Sequence, residues 1–243
     1  MSFRLGLLNP NTDQHHTDAM AGVARAALPD GSEVVAVTAT RGPSSIESAA
    51  DTAVAVGEVA AMVQANRGLD GYLISCFGDP GLDAARELAA APVVGIGEAA
   101  FIAAGIVSGR FAVITTLARG VPALEDMIDS RGILRRCAGV LALEIPVAEQ
   151  GAAYADTTAA IVAASRRAVE ERGAESLILA CGGMADVARA VQETVGVPVC
   201  DGVGFGAMLA YGLWCTGIAT AKVGTYAAPE PIPYTGMHSP RGA

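Results

Sequence analysis

Three stretches of this chain, 72–75, 111–114 and 177–180, are unbroken apolar runs rather than alternating ones. Strands buried on both faces read this way, and they belong to parallel sheets covered by helices. Longer alanine-rich segments between the runs predict helices. Strand and helix patterns therefore alternate, which gives the α/β class. One pattern occurs twice. Gly71-Tyr72-Leu73-Ile74-Ser75-Cys76-Phe77-Gly78 is followed by an alanine-rich run and then Ala91-Pro92-Val93-Val94. Glu175-Ser176-Leu177-Ile178-Leu179-Ala180-Cys181-Gly182-Gly183 is followed by a similar run and then Val197-Pro198-Val199-Cys200. Each reads as a strand ending in Cys, a glycine-containing turn, a helix, and a short strand opened by Pro.

Cys76 and Cys181 are 105 residues apart, and Pro92 and Pro198 are 106 apart. A period this long predicts two similar lobes rather than a solenoid. The repeat reaches back to a run at 3–8 ending at Asn9-Pro10-Asn11-Thr12, and a run at 111–114 ending at Thr115-Thr116. Thr12 precedes Cys76 by 64 residues and Thr116 precedes Cys181 by 65. Polar residues at the C-terminal ends of parallel strands line the ligand crevice of open α/β sheets. Asn11, Thr12, Cys76, Thr115, Thr116 and Cys181 are thus expected to face a cleft between the lobes. The first lobe is expected to take 1–97 plus 206–243, because the second copy, 98–205, is complete near Asp201. The uncharged stretch 203–221 contains four glycines and follows a strand pattern, so it predicts a buried helix rather than a membrane span.

Composition narrows the function. The 243 residues are 52% apolar and 5% aromatic, which suits close helix-on-sheet packing. The net charge of −9 and the lack of any Lys/Arg cluster exclude nucleic acid as an expected partner. No charged segment precedes a long apolar stretch at the start, so no signal peptide is read. Five widely spaced cysteines, Cys76, Cys137, Cys181, Cys200 and Cys215, predict reduced thiols and a cytoplasmic location. No C-x-x-C occurs, and His15, His16 and His238 lack the spacing of a local zinc site, so no metal is expected. Gly95-Ile96-Gly97-Glu98 imitates a dinucleotide fingerprint, but no acid follows at the next strand end. There is no Walker A loop and no nucleophile elbow, so neither nicotinamide nor ATP binding is expected.

Cys137, Cys200 and Cys215 read as small hydrophobic residues. Cys76 and Cys181 differ. Each ends an apolar run, and the glycines that follow allow close backbone approach to a ligand. Helices are expected to begin near Asp79-Pro80 and Met184-Ala185. Their dipoles are expected to lower both thiol pKa values toward neutrality. Their free amides can stabilise an anion forming on a substrate. Two opposed acid/base groups are what inversion at a carbon requires.

Several blocks resemble the hydantoin racemase branch of the Asp/Glu/hydantoin racemase superfamily. They are Leu8-Asn9-Pro10-Asn11-Thr12, Arg41-Gly42-Pro43-Ser44-Ser45-Ile46-Glu47-Ser48 and the long block from Ser75-Cys76-Phe77-Gly78-Asp79-Pro80 to Glu87. Val113-Ile114-Thr115-Thr116-Leu117, Cys181-Gly182-Gly183-Met184-Ala185 and Lys222…Tyr234-Thr235-Gly236 extend the likeness over nearly the whole chain. The resemblance implies a cofactor-free racemase of two pseudo-symmetric lobes acting on a hydantoin-type ring. It implies that one of Cys76 and Cys181 removes the C5 proton and the other returns one to the opposite face. Backbone donors near Phe77-Gly78 and Gly182-Gly183, with the Thr12 and Thr116 hydroxyls, would steady the resulting oxyanion, and Thr115 would also contact the substrate. Asn11 would pair with the ring, although Asn11 and Thr12 also suit a helix N-cap. A homo-oligomer is expected from the apolar, glycine-rich C-terminal region.

The chain departs from the branch in three places. It has Ala49-Ala50-Asp51 where a bulky segment is usual, Gly182-Gly183 for Ala-Gly, and Gly97 for Ala. The first is expected to alter the pocket wall. Allantoin is the nearest alternative substrate. Aspartate or glutamate racemisation would want cations, of which Arg41 and Arg119 are the nearest. Arylmalonate decarboxylation uses only the second-half thiol, so Cys76 argues against it. A two-lobed binding protein has no evident use for paired thiols.

Overall fold

The computed structural model describes residues 2–145, 154–185, 187–230 and 232. Tyr234, Thr235, Gly236 and His238 lie outside them. Among the described residues, strands and helices alternate without exception. The first half contains β1 (Arg4–Asn9), α1 (Gln14–Ala27), β2 (Glu33–Thr38), α2 (Ala49–Ala65), β3 (Gly71–Ile74), α3 (Leu82–Leu88), β4 (Val93–Gly95) and α4 (Ile96–Val107). The second contains β5 (Phe111–Thr115), α5 (Val121–Ser130), β6 (Cys137–Ala142), α6 (Tyr154–Arg172), β7 (Ser176–Leu179), α7 (Ala188–Val195), β8 (Val199–Cys200) and α8 (Gly202–Cys215).

Each half forms a four-stranded parallel sheet with the same topology, β2-β1-β3-β4 and β6-β5-β7-β8. Apolar cores lie on both faces of both sheets, which is why the strands read as unbroken runs. In β1, Leu7 faces the core shared with α1 and α8, and Leu8 faces the one shared with α2 and α3. In β7, Leu177 and Leu179 face α6 and α7, and Ile178 faces α4 and α5.

The last helix of each half crosses to the other sheet. α4 lies over β7 and β8, and α8 lies over β1, β3 and β4. The two helices also pack on each other, so close that a Cβ at Gly202 would lie 2.0 Å from the backbone oxygen of Ile96. The uncharged stretch 203–221 thus forms a half-buried helix only as far as Cys215, and 216–221 continue beyond its end. No helix among the described residues is long and apolar enough to cross a membrane.

The register refines the repeat. Leu8 pairs with Ile74, and Ile114 pairs with Leu179. The Ser75 N–H donates to Leu8 O at 2.9 Å and the Ala180 N–H to Ile114 O at 2.8 Å. Asn9 therefore corresponds to Thr115, and the spacing match between Thr12 and Thr116 does not mark equivalent positions. Thr12 lies beyond the strand end, in the turn that leads to α1.

Candidate active site

Cys76 and Cys181 each stand two residues beyond a strand, after β3 and β7. In both loops the Cys carbonyl accepts the N–H three residues on, Asp79 N at 2.9 Å and Met184 N at 3.0 Å. Both thiols are half-buried, and both line one cavity of about 690 Å³ at the C-terminal ends of the strands. That is the position expected of a ligand site in open α/β sheets, and the volume suits a small organic ligand.

Three supports hold the Cys76 loop. The Phe77 ring packs edge-on to Phe101 of α4 at 5.6 Å, and Phe101 packs on Phe111 of β5 at 5.9 Å. The Gly78 N–H donates to the Cys76 thiol. The buried Asp79 carboxylate accepts N–H bonds from Gly97 and Glu98, both at 2.8 Å, and so caps α4. Arg131, at the end of α5, pairs with the same carboxylate at 3.3 Å. Asp79 itself adopts a φ of 47°, a conformation that Asp tolerates better than most residues.

Burial pushes the Cys76 thiol up to about 12, against the Gly78 bond that lowers it; Cys181 and Asp79 add to the rise. The expected lowering by a helix dipole is thus overturned. The helix after Cys76 does not begin near Asp79-Pro80 but at Leu82, behind Gly81, whose φ is 72°. The dipole acts only within about a turn of a helix end. The second helix is also later than expected. A 3-10 turn over Gly182–Met184 follows Cys181, and α7 starts at Ala188.

Burial likewise raises the Asp79 carboxyl to about 7, over the lowering by its two backbone bonds and Arg131. Between about pH 4 and 7 the unfolded chain has lost this proton while the folded protein keeps it, so stability falls as pH rises through that window. Asp79→Asn cannot ionise. Its melting temperature relative to the native protein should therefore improve from pH 4 to pH 7 in a series of thermal melts. A gap that widens with rising pH would show that the folded protein favours the charged form.

The predicted ligand-facing residues divide. Asn11, Phe77, Gly78, Thr115, Thr116, Gly182 and Gly183 line the cavity; Thr12 does not, and its N–H donates to Pro43 O at 3.0 Å. The α1 cap is neither Asn11 nor Thr12 but Asp13, which accepts from His15 N and His16 N. Asn11 Oδ1 accepts from Asn9 Nδ2 at 2.8 Å and Asp13 N at 2.9 Å, so its NH2 end is left to meet a ligand. The Phe77 ring belongs to the core. Among the described residues, no group of three or more His, Cys, Asp or Glu side chains is placed to hold a metal ion.

The family model for Asp/Glu/Hydantoin racemase matches residues 5–210. The chain belongs to the Asp/Glu/hydantoin racemase family. The hydantoin racemase of Rhizobium meliloti is 39% identical over 226 residues, which cover 92% of this chain and 94% of that protein. The hydantoin racemase of Pseudomonas sp. (strain NS671) is 35% identical over 235 residues, 96% and 94% of the two chains. The structure of allantoin racemase from Klebsiella pneumoniae superposes with a TM-score of 0.94 at 38% identity, covering 97% of both chains. The protein is a racemase, and so an isomerase. The cavity of this racemase also takes in residues the motifs did not assign to it, notably His16 and Met20 of α1 and Asp126 and Met127 of α5. Helical periodicity places His16 and Met20 on one face of α1, but only the tertiary packing turns that face toward Cys181. Ala49, the first residue of the altered segment, does line the cavity.

Proposed function

We propose that this racemase inverts C5 of 5-substituted hydantoins without a cofactor, using Cys76 and Cys181 on opposite faces of the ring. The observation that carries this reading is the placement of two equivalent thiols on one cavity. The C5 proton lies next to a carbonyl, so its removal moves charge onto the carbonyl oxygen. Donors without a backbone acceptor among the described residues are at hand for it. They are the Asn11 NH2 and the N–H groups of Gly182 and Gly183, which open the 3-10 turn. Such donors contribute most in a site shielded from water. The Gly78 N–H has another role, since it points at the Cys76 sulfur and steadies its thiolate.

The lining combines apolar residues such as Ile46, Leu117 and Met127 with the polar Glu47, Thr52, Arg119 and Asp126. The apolar members favour a bulky apolar C5 substituent, and the polar ones would suit the ureido group of allantoin. The second reading, allantoin racemisation, draws on the likeness to the Klebsiella pneumoniae structure. A panel decides between them. Decay of the circular dichroism of pure L- and D-5-benzylhydantoin, at a rate well above that of allantoin, is the expected result. Faster decay of allantoin would reverse the assignment, and no decay of either would remove it. We further place the enzyme in the cytoplasm as a homo-oligomer. All five cysteines are free thiols, and Ile106 and Val107 of α4 stand exposed.

A further inference from the structure

His16 is 8% exposed and lines the same cavity as Cys181. Met20, one turn further along α1, is almost fully buried, and a Cβ at Gly182 would lie 2.4 Å from its sulfur. The face of α1 that carries both residues therefore presses on the turn immediately after Cys181. Asp13 stands behind the imidazole. One of its oxygens is held by the N–H groups of His15 and His16, at 2.8 and 3.2 Å. The other lies 3.5 Å from His16 Nδ1. That places a carboxylate on the Nδ1 side of the imidazole.

The remaining charged and titratable groups around the cavity are Glu47, Arg119, Asp126 and Cys76. On the other side of α1, α8 carries no charged residue from Gly202 to Cys215, and Asp201 is engaged in capping it through Val203 N and Gly204 N. His16 is thus the nitrogen base among the cavity's described residues, and it is a cavity neighbour of Cys181.

We propose that His16 is a positioning residue that takes the proton of Cys181, so that this side of the cavity rests as a thiolate beside an imidazolium while Cys76 rests as a thiol. The proton moves from Cys181 Sγ to His16 Nε2, and no group outside the cavity is needed. The proposal rests on the two-thiol reading above and deepens it, for it says which thiol is the base at rest. Cys76, whose thiol is raised, is suited to begin as the acid. A carboxylate behind an imidazole beside a thiol is a general way to keep a sulfur deprotonated.

The test separates the two thiols. Iodoacetamide labelling of Cys181 is followed against pH by peptide mass spectrometry in Cys76→Ser, with and without His16→Gln. Loss of His16 should slow labelling of Cys181 about tenfold near pH 7 and move its midpoint up by about one pH unit, because only the thiolate reacts. Labelling of Cys76 in Cys181→Ser should not change with His16→Gln. In the otherwise native enzyme, His16→Gln should shift the acid limb of the kcat profile upward. Identical Cys181 profiles with and without His16 would overturn the proposal. A second measurement needs no His16 variant. The thiolate absorbance of Cys76→Ser near neutral pH should fall once Cys181 is carbamidomethylated; an unmoved absorbance again overturns it. If Cys76→Ser or Cys181→Ser keeps full racemisation, the two-thiol reading fails, and the labelling profile still reports separately on His16.

Discussion

Cys76→Ser and Cys181→Ser should each lower racemisation by about 10³-fold, within the range that a positioned acid or base contributes. Serine preserves the shape of either loop, including the turn closed by Asp79 N or Met184 N on the residue-76 or residue-181 carbonyl. What it removes is a group acidic enough to alternate between holding and releasing a proton. Each inversion uses both sides of the ring, one to take a proton and one to give one. The loss should therefore be the same whether L- or D-hydantoin is supplied. Equality is also required thermodynamically, since the two enantiomers are equal in energy and kcat/KM must fall alike in both directions. Circular dichroism with each pure enantiomer measures both. A variant that stays within a few-fold of the native rate would remove its cysteine from the mechanism.

The second large effect concerns stability. Gly202→Ala should cost about 3 kcal/mol, at the upper end of ordinary overpacking, and lower the melting temperature by roughly 10 °C. Its Cβ would lie 2.0 Å from the Ile96 carbonyl oxygen. Backbone cannot swing aside as a flexible side chain can, so α4 and α8 must part. Gly22→Ala is the control. It sits inside α1 with nothing within 4 Å of its added Cβ, and it should gain up to about 1 kcal/mol from helix propensity. If both variants melt alike, the helix seam is looser than these contacts imply. Gly97 is a related case with a different readout. A Cβ there would meet the Phe77 carbonyl at 2.2 Å, so alanine must shift the Cys76 loop. The thiol loop therefore lies nearer to α4 than an alanine at this place would permit.

Much of this was legible in the sequence, for reasons that can be named. The paired thiols were found because a duplicated strand-turn pattern preserves spacing, and because residues at strand ends are fixed by the sheet. The doubly buried strands were found because no polar residue interrupts them. Four things were not legible. Thr12 shares its chemistry and spacing with Thr116, but spacing does not show where a strand stops and a turn begins. The starts of α3 and α7 were set too early, since Asp79 turns into a left-handed conformation and Gly182–Met184 forms a tighter turn first. The thiol shift had the wrong sign, because the dipole was visible as a motif while burial of Cys76 depends on the whole assembly. His16 belongs to no motif in the sequence, and only the packing of α1 against the second cysteine loop brings it to the cavity.

The exchange of α4 and α8 between the sheets gives the molecule the form of a swapped homodimer joined into a single polypeptide. Neither half covers its own sheet completely without the helix received from the other, so a half-length chain of this design would have to associate with a second copy to close both cores. Such a pair would have one thiol per subunit, related by a true twofold axis and therefore chemically alike. Joining the halves removes that constraint. Gly78 and Asp79 beside one sulfur, and His16 and Met20 beside the turn of the other, become free to differ. A symmetric frame can thus hold an asymmetric pair of sulfurs, one poised to give a proton and the other to take it.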